Sequence, residues 1–201
     1  MLFWICEGSC AGRGKQLTPP DSIWGCGMLT CVLHNDGSLA ALEAQWKTEC
    51  EASGEDYEEY ASTYLPHARQ ICGENGADDR YRIYALKDGE SYVAIMHVNR
   101  AQLPKSDGWT LRLNWVLLSP RFDYTDVSAA ELAKIVANTI RGAVILSDGE
   151  MPAKHIKIRF GNATDRDLFT GISAGLQMGS EFASSEIKGA WMEITKSSRE
   201  D

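Results

Sequence analysis

The fold is decided by the stretch Leu117-Leu118-Ser119-Pro120-Arg121-Phe122-Asp123-Tyr124-Thr125-Asp126-Val127-Ser128 and by the amphipathic run at 129–146 that follows it. This pattern predicts a buried strand that leads directly into a long helix, and such a helix start can bind a phosphate through its free backbone N–H groups. The turn nevertheless contains two aspartates and no glycine. In addition, Ser128-Ala129-Ala130-Glu131 has the pattern of a capping box, in which the helix satisfies its own first N–H groups. The sequence therefore predicts a phosphate-binding architecture with a turn of the wrong charge.

The length and composition indicate one soluble globular domain. The chain has 201 residues, 44% of them hydrophobic, and a formal net charge of -8. The negative charge argues against nucleic-acid binding, because phosphate backbones are held by clustered Lys and Arg. No apolar run approaches the ~18 residues that a membrane span needs, so we expect a cytoplasmic protein. Residues 1–27 are rich in Gly, Pro and Ser and predict an irregular lead-in segment, with the folded domain at 28–201.

Two motifs near the N-terminus resemble ligand sites. The spacings Cys6-x3-Cys10 and Cys26-x4-Cys31 are permitted for zinc, with His34 and Cys50 as further candidates, but free cysteine more often behaves as a small buried hydrophobe. We therefore expect no metal. The segment Gly12-Arg13-Gly14-Lys15-Gln16 resembles a phosphate-binding loop, yet it lacks the Ser or Thr that holds magnesium, and prolines follow it.

Hydrophobic periodicity predicts the order of the elements. A strand at 28–34 is followed by a helix from Ser38 and by a second helix that Pro66 ends or kinks, and residues 72–79 form a loop. Strands at 81–86 and 92–99 are joined by an Asp-Gly turn, and a central strand at 110–118 precedes the long helix. A strand at 155–160, a helix at 165–176 and two strands at 182–187 and 190–195 complete the chain.

This order resembles that of the GCN5-related N-acetyltransferase (GNAT) superfamily. Leu118-Ser119-Pro120-Arg121-Phe122 matches the apolar-x-Pro-x-aromatic run with which the central strand ends in that family. The resemblance implies a single-domain α/β acyl-CoA N-acyltransferase fold, with a mixed, mostly antiparallel central sheet flanked by helices. It also implies direct transfer of an acyl group from acetyl-CoA or another acyl thioester to the amine of a small molecule or protein. A homodimer is compatible with the pattern.

The resemblance also assigns candidate site residues. The donor would be held by Leu117, Leu118, Ser119, Arg121, Ser128 and Asn162. Candidates for the general base are Glu90 and His97, which lie on or beside the strands that flank the substrate cleft of the family. Asn162, Leu168 and Phe169 match the spacing of a second family signature, in which a tyrosine protonates the departing thiolate, but Phe169 lacks the hydroxyl group.

Two alternatives follow from the departures in the turn. The first is a non-catalytic GNAT-like binding or regulatory module that has lost the pyrophosphate loop. The second is a relative that takes its acyl group from a carrier protein, as acyl-homoserine-lactone synthases do.

Overall fold

The computed structural model describes residues 28–74, 80–161, 163–178 and 182–197. The predicted lead-in segment and Asn162 lie outside these ranges. Thirteen elements follow one another along the described chain: β1 (Met28–Cys31), α1 (Ser38–Ser53), α2 (Tyr57–Ala61), α3 (Leu65–Glu74), β2 (Tyr81–Asp88), β3 (Ser91–Gln102), β4 (Trp109–Leu118), α4 (Pro120–Tyr124), α5 (Ala129–Asp148), β5 (His155–Arg159), α6 (Ala163–Gln177), β6 (Phe182–Lys188) and β7 (Trp191–Lys196). None of the helices in the described ranges is long and apolar enough to cross a membrane.

The strands form one open mixed sheet in the order β1-β2-β3-β4-β5-β7-β6. All neighbouring pairs are antiparallel except β4 and β5, which are parallel. The connection between these two strands contains α5, as a parallel crossover requires. The predicted fold class, a mostly antiparallel mixed sheet flanked by helices, is confirmed.

The helices divide the hydrophobic core into two layers. On one face, α5 and α6 cover the central strands, and the apolar stripe of α5 includes the buried Ile135 and Ile140. On the other face, α1, α2 and α3 pack on β2 and β3 through a second cluster centred on Trp46. The Trp46 indole Nε1–H donates a 3.0 Å hydrogen bond to the Tyr92 carbonyl oxygen, which fixes α1 to the start of β3.

Three local predictions were wrong. Pro66 neither ends nor kinks a helix, because it is the second residue of α3, where its missing N–H would have no acceptor within the helix. Residues 72–74 belong to the same helix and not to a loop. The central strand does not lead directly into the long helix, because Pro120 starts the short helix α4 and Thr125 then returns to an extended conformation.

Candidate functional site

The pairing of the central strands β4 and β5 stops halfway along β4, near the end of the shorter β5. Their parallel pairing runs from Thr110–His155 to Leu113–Ile158. β5 itself stays paired with β7 to Arg159, and the Phe160 N–H extends this pairing by donating to the Ala190 carbonyl oxygen at 3.1 Å. Residues 114–118 of β4 therefore have only β3 as a strand neighbour among the described residues. This separation leaves one edge of a central strand open.

The register of β3 and β4 decides which backbone groups face the open edge. The Ser119 N–H donates to the Val93 carbonyl at 2.9 Å. Because inward and outward groups alternate along an antiparallel strand, the backbone groups of Leu117 also point to β3, while those of Val116 and Leu118 point to the open edge. The Leu118 carbonyl there already accepts a 2.5 Å hydrogen bond from the Tyr60 hydroxyl of α2.

A β-bulge at the start of the open edge adds Asn114 to β4. His97 pairs with Trp115 and Val98 with Leu113, so that Asn114 has no partner across the strands. Bulges of this kind commonly lie next to functional sites because they redirect a side chain. The Asn114 Nδ2 group donates to Asn99 Oδ1 at 2.8 Å and lies 3.5 Å from His97 Nδ1. The bulge thus joins three polar side chains within the sheet.

His97 is enclosed by rings from three other elements. His67 of α3 contacts it edge to face at 5.2 Å between centroids, Tyr81 of β2 stacks at 6.2 Å, and Trp115 of β4 lies at 6.0 Å. His67 and Tyr81 are exposed, whereas the exposed fraction of His97 is only 9%. Sequence reasoning did not select His67, because an exposed histidine on a polar helix face carries no local signal.

The imidazole of His97 is neutral at physiological pH. Burial, together with the neighbouring His67 and Arg112, lowers its pKa from 6.5 to about 4. The Asn114 Nδ2 donor lies 3.5 Å from Nδ1, an arrangement that favours the tautomer with the ring proton on Nε2. Nε2 has no hydrogen-bond partner within the described ranges. His97 therefore presents a buried N–H donor that no protein group in those ranges uses.

The turn after β4 is held against α1 and α2. Ser119 is fully buried and directly precedes α4 as its N-cap residue, and the Arg121 backbone N–H donates to Glu49 Oε2 at 3.2 Å. The exposed guanidinium of Arg121 lies 4.5 Å from the ring centroid of Phe122. Burial and the carboxylate of Asp123 raise the pKa of Tyr60, which keeps its hydroxyl protonated and able to donate to the strand end.

The start of α5 is capped by the side chains of Ser128 and Glu131. The Ser128 hydroxyl accepts from the Glu131 N–H at 3.2 Å, and Glu131 Oε2 accepts from the Ser128 N–H at 3.1 Å. This is the predicted capping box. Hydrogen bonds from Ser128 lower the pKa of the Glu131 carboxyl, which keeps it charged at the helix start. These residues fit the pyrophosphate of coenzyme A poorly, because the Glu131 carboxylate stands at the helix start where a phosphate would bind.

The remaining predicted site residues are distributed as follows. Glu90 is fully exposed in the β2–β3 turn, with its carboxylate 3.5 Å from Lys87 Nζ, about 24 Å along the strand from His97. The structure therefore does not bring the two predicted bases together.

Phe169 is buried and stacks on Phe160 with 5.6 Å between the ring centroids, so its ring is part of the hydrophobic core. Cys50 and Cys72 are likewise buried, and no metal-binding group of three side chains occurs among the described residues.

Comparisons with known proteins return structural neighbours only. No protein-family model and no curated sequence matches the chain. An acetyltransferase from Thermus thermophilus is 14% identical, with 86% of this chain and 98% of that chain covered and a TM-score of 0.42. An aminoglycoside N(6')acetyltransferase from Legionella pneumophila is 9% identical, with coverages of 84% and 90% and a TM-score of 0.44. The structure of AAC(6')-Ib with ribostamycin and coenzyme A is 16% identical, with coverages of 87% and 98% and a TM-score of 0.45.

At these identities and TM-scores, the fold assignment depends on the element order and strand pairing described above. The sheet is mixed and mostly antiparallel, as the resemblance predicted, and the one parallel pair among the described strands is β4 with β5. That pair separates after Leu113, beside a bulge in β4. The described chain therefore has the mixed α/β sheet flanked by helices that the resemblance to the GCN5-related N-acetyltransferases predicted.

Proposed function

We propose that this protein transfers an acyl group from a thioester to an amine at the open edge of β4. The observation that carries the proposal is the separation of β4 from β5 after Leu113, directly beside the bulge that holds His97. An open strand edge can pair with an extended chain of amides, as a peptide does in strand addition. A pantetheine arm is such a chain, since it contains two amide groups and ends in the thiol that carries the acyl group.

The arm would lie along Val116 and Leu118. Their backbone N–H and C=O groups face the open edge, whereas those of Leu117 and Ser119 face β3. An arm that enters from the α5 end of the strand would place its thioester near Asn114 and His97. Of the residues that the sequence assigns to the donor, Leu118 is thus the one whose backbone would contact the arm.

The chemistry is direct aminolysis. The amine nitrogen attacks the thioester carbonyl carbon and forms the C–N bond, and the C–S bond breaks. One amine proton passes to a base, and the thiolate takes up a proton, so that an amide and a free thiol result. No covalent enzyme intermediate is needed.

His97 and His67 have complementary roles in this proposal. The neutral His97 would donate its Nε2–H to the oxygen on which negative charge develops, after the bound thioester displaces one of the exposed rings beside it, His67 or Tyr81. His67 is exposed and contacts the His97 ring, so it is placed to take the amine proton. The role that the sequence suggested for His97, that of a base, thus passes to the neighbouring histidine. The acceptor would be an amine on a small molecule or on a protein.

The test is a transfer assay with acetyl thioesters and a panel of primary amines. Release of thiol is followed with a chromogenic reagent, and the N-acetyl product is identified by mass spectrometry. We expect His67→Gln and His97→Gln each to reduce kcat/KM by about 100-fold, the lower range for loss of a proton-transfer or oxyanion-stabilising group. His34→Gln is the matched control, because His34 is exposed in the turn after β1.

The outcomes separate the reaction from the residue roles. Transfer by the wild type with unchanged activity in both histidine variants would contradict the assigned roles but not the reaction. Absence of transfer to every amine, from every thioester, would contradict the proposed function and favour a non-catalytic binding module.

A further inference from the structure

We propose that the acyl donor is a pantetheine thioester without the nucleotide of coenzyme A, as carried on the arm of a carrier protein. This inference rests on the proposed function and narrows its donor. The same molecule offers a strand edge that suits the arm and a helix start that does not suit the diphosphate.

The first observation is that the helix start bonds two of its own N–H groups and carries a carboxylate. Ser128 and Glu131 exchange hydrogen bonds through both side chains and both backbone N–H groups. The Ser128 hydroxyl also donates to Glu131 Oε2 at 2.8 Å. A diphosphate at the remaining N–H groups of the first turn, those of Ala129 and Ala130, would lie beside the Glu131 carboxylate.

The second observation is the charge around the turn. Lys87, Arg121 and Lys134 line a cavity of about 90 Å³ beside the start of α5, together with Asp88 and Glu131. Lys87 lies 3.5 Å from Glu90, and Lys134 lies 3.2 Å from Asp88. Asp88, Glu90 and Glu131 oppose these three cations, and the turn that leads into α5 adds two exposed carboxylates, Asp123 and Asp126. The local excess of negative charge opposes a diphosphate.

The third observation is that the pantetheine arm needs neither free N–H groups at the helix start nor positive charge at the turn. Its amides pair with the backbone of Val116 and Leu118, which does not depend on charge. Tyr60 occupies the Leu118 carbonyl and would yield to an amide N–H of the arm, while the Leu118 N–H keeps its direction toward the open edge. Binding energy for the donor thus comes from the strand edge and from the thioester end.

The experiment compares three acetyl donors that share the pantetheine arm and differ only in the group attached to its far end. Acetyl-pantetheine, acetyl-CoA and an acyl carrier protein acetylated on its phosphopantetheine arm are titrated into the protein by calorimetry and then used as donors at equal concentration. We expect acetyl-pantetheine to bind at least as tightly as acetyl-CoA. Tighter binding of the acetylated carrier protein than of acetyl-pantetheine would identify a protein-borne arm, and weaker binding would identify a free thioester as the source.

A charge variant tests the physical reason. Asp126→Asn combined with Glu131→Gln removes two charges and keeps the capping box, because glutamine also caps. Charges at a helix N-terminus are worth enough for the pair to tighten acetyl-CoA binding by about 3- to 30-fold. Binding of acetyl-pantetheine should not change. The matched control is Glu51→Gln combined with Glu58→Gln on the exposed surface of α1 and α2.

The outcomes distinguish this inference from the proposed function. Tighter binding and faster transfer with acetyl-CoA than with acetyl-pantetheine would overturn the inference and leave the acyltransferase intact. Failure of all three donors to bind or to react would overturn both. Preference for acetyl-pantetheine without a gain in CoA affinity in the charge variant would overturn the electrostatic explanation.

Discussion

The buried imidazole of His97 makes a specific prediction about stability and pH. The ring is 9% exposed and is surrounded by His67 from α3, Tyr81 from β2, and Arg112 and Trp115 from β4. None of these groups offers a negative charge to an imidazolium. The native state therefore holds the neutral ring, while the unfolded chain binds a proton in the ordinary histidine range.

The size of the effect follows from the two pKa values. The pKa of His97 is lowered from 6.5 to about 4 on folding. Between these values the unfolded state binds more protons than the native state, so the free energy of unfolding decreases as the pH falls. Each pKa unit corresponds to about 1.4 kcal/mol, so the difference amounts to about 2 kcal/mol at pH 5 and about 3 kcal/mol at pH 4. Above pH 6.5 the ring is mostly neutral in the unfolded chain as well, so this loss in the free energy of unfolding disappears.

The measurement is urea unfolding of the wild type and of His97→Gln from pH 7.5 to pH 4. Glutamine has no titratable proton and can still bond to the Asn114 amide. We expect a constant difference in the free energy of unfolding above pH 6.5. At lower pH the wild type should lose stability faster than the variant, while carboxylate titration is common to both proteins. In the control His34→Gln, the wild-type profile should persist.

Parallel profiles for the wild type and His97→Gln between pH 6.5 and pH 4 would refute the reasoning. They would mean that the native state accommodates the imidazolium, through water or through movement of α3. The neutral N–H donor assigned to His97 in the transfer reaction would then fail as well.

Two further predictions concern packing and capping. Gly142→Ala should destabilise the protein by about 1–3 kcal/mol in urea unfolding, because a Cβ there would lie 2.4 Å from Cγ and Cδ1 of Leu29 on β1. Gly171→Ala on α6, where a Cβ meets nothing within 4 Å, should be neutral or stabilising, and a similar loss in both variants would contradict the steric explanation. Ser128→Ala should cost about 1 kcal/mol through loss of the α5 cap, whereas Ser128→Thr should retain most of it, as thermal unfolding can show. Equal stability of the two Ser128 variants would mean that the cap contributes nothing.

The local structure of the decisive stretch could be predicted because its signals are short-range. The capping box needs only the four residues from Ser128 to Glu131, and the apolar stripe of α5 repeats within one helix. The Asp-Gly turn between β2 and β3 is equally local, with Gly89 at φ 62°. The effect of Pro66 was predicted wrongly, because a proline gives no sign of whether it interrupts a helix or begins one.

The sequence by itself determined the order of the strands and of the long helices α1, α5 and α6, the self-capped start of α5 and the acidic turn before it, since each depends on neighbours within a few residues. Only the tertiary structure decided where β4 leaves β5, that Asn114 forms a bulge, and that His67 meets His97. It also decided that Tyr60 reaches the Leu118 carbonyl, 58 residues along the chain. The physical reason is that strand register and helix docking are set by the packing of the whole core. Periodicity shows which face of an element is buried, but not which distant side chain it meets there.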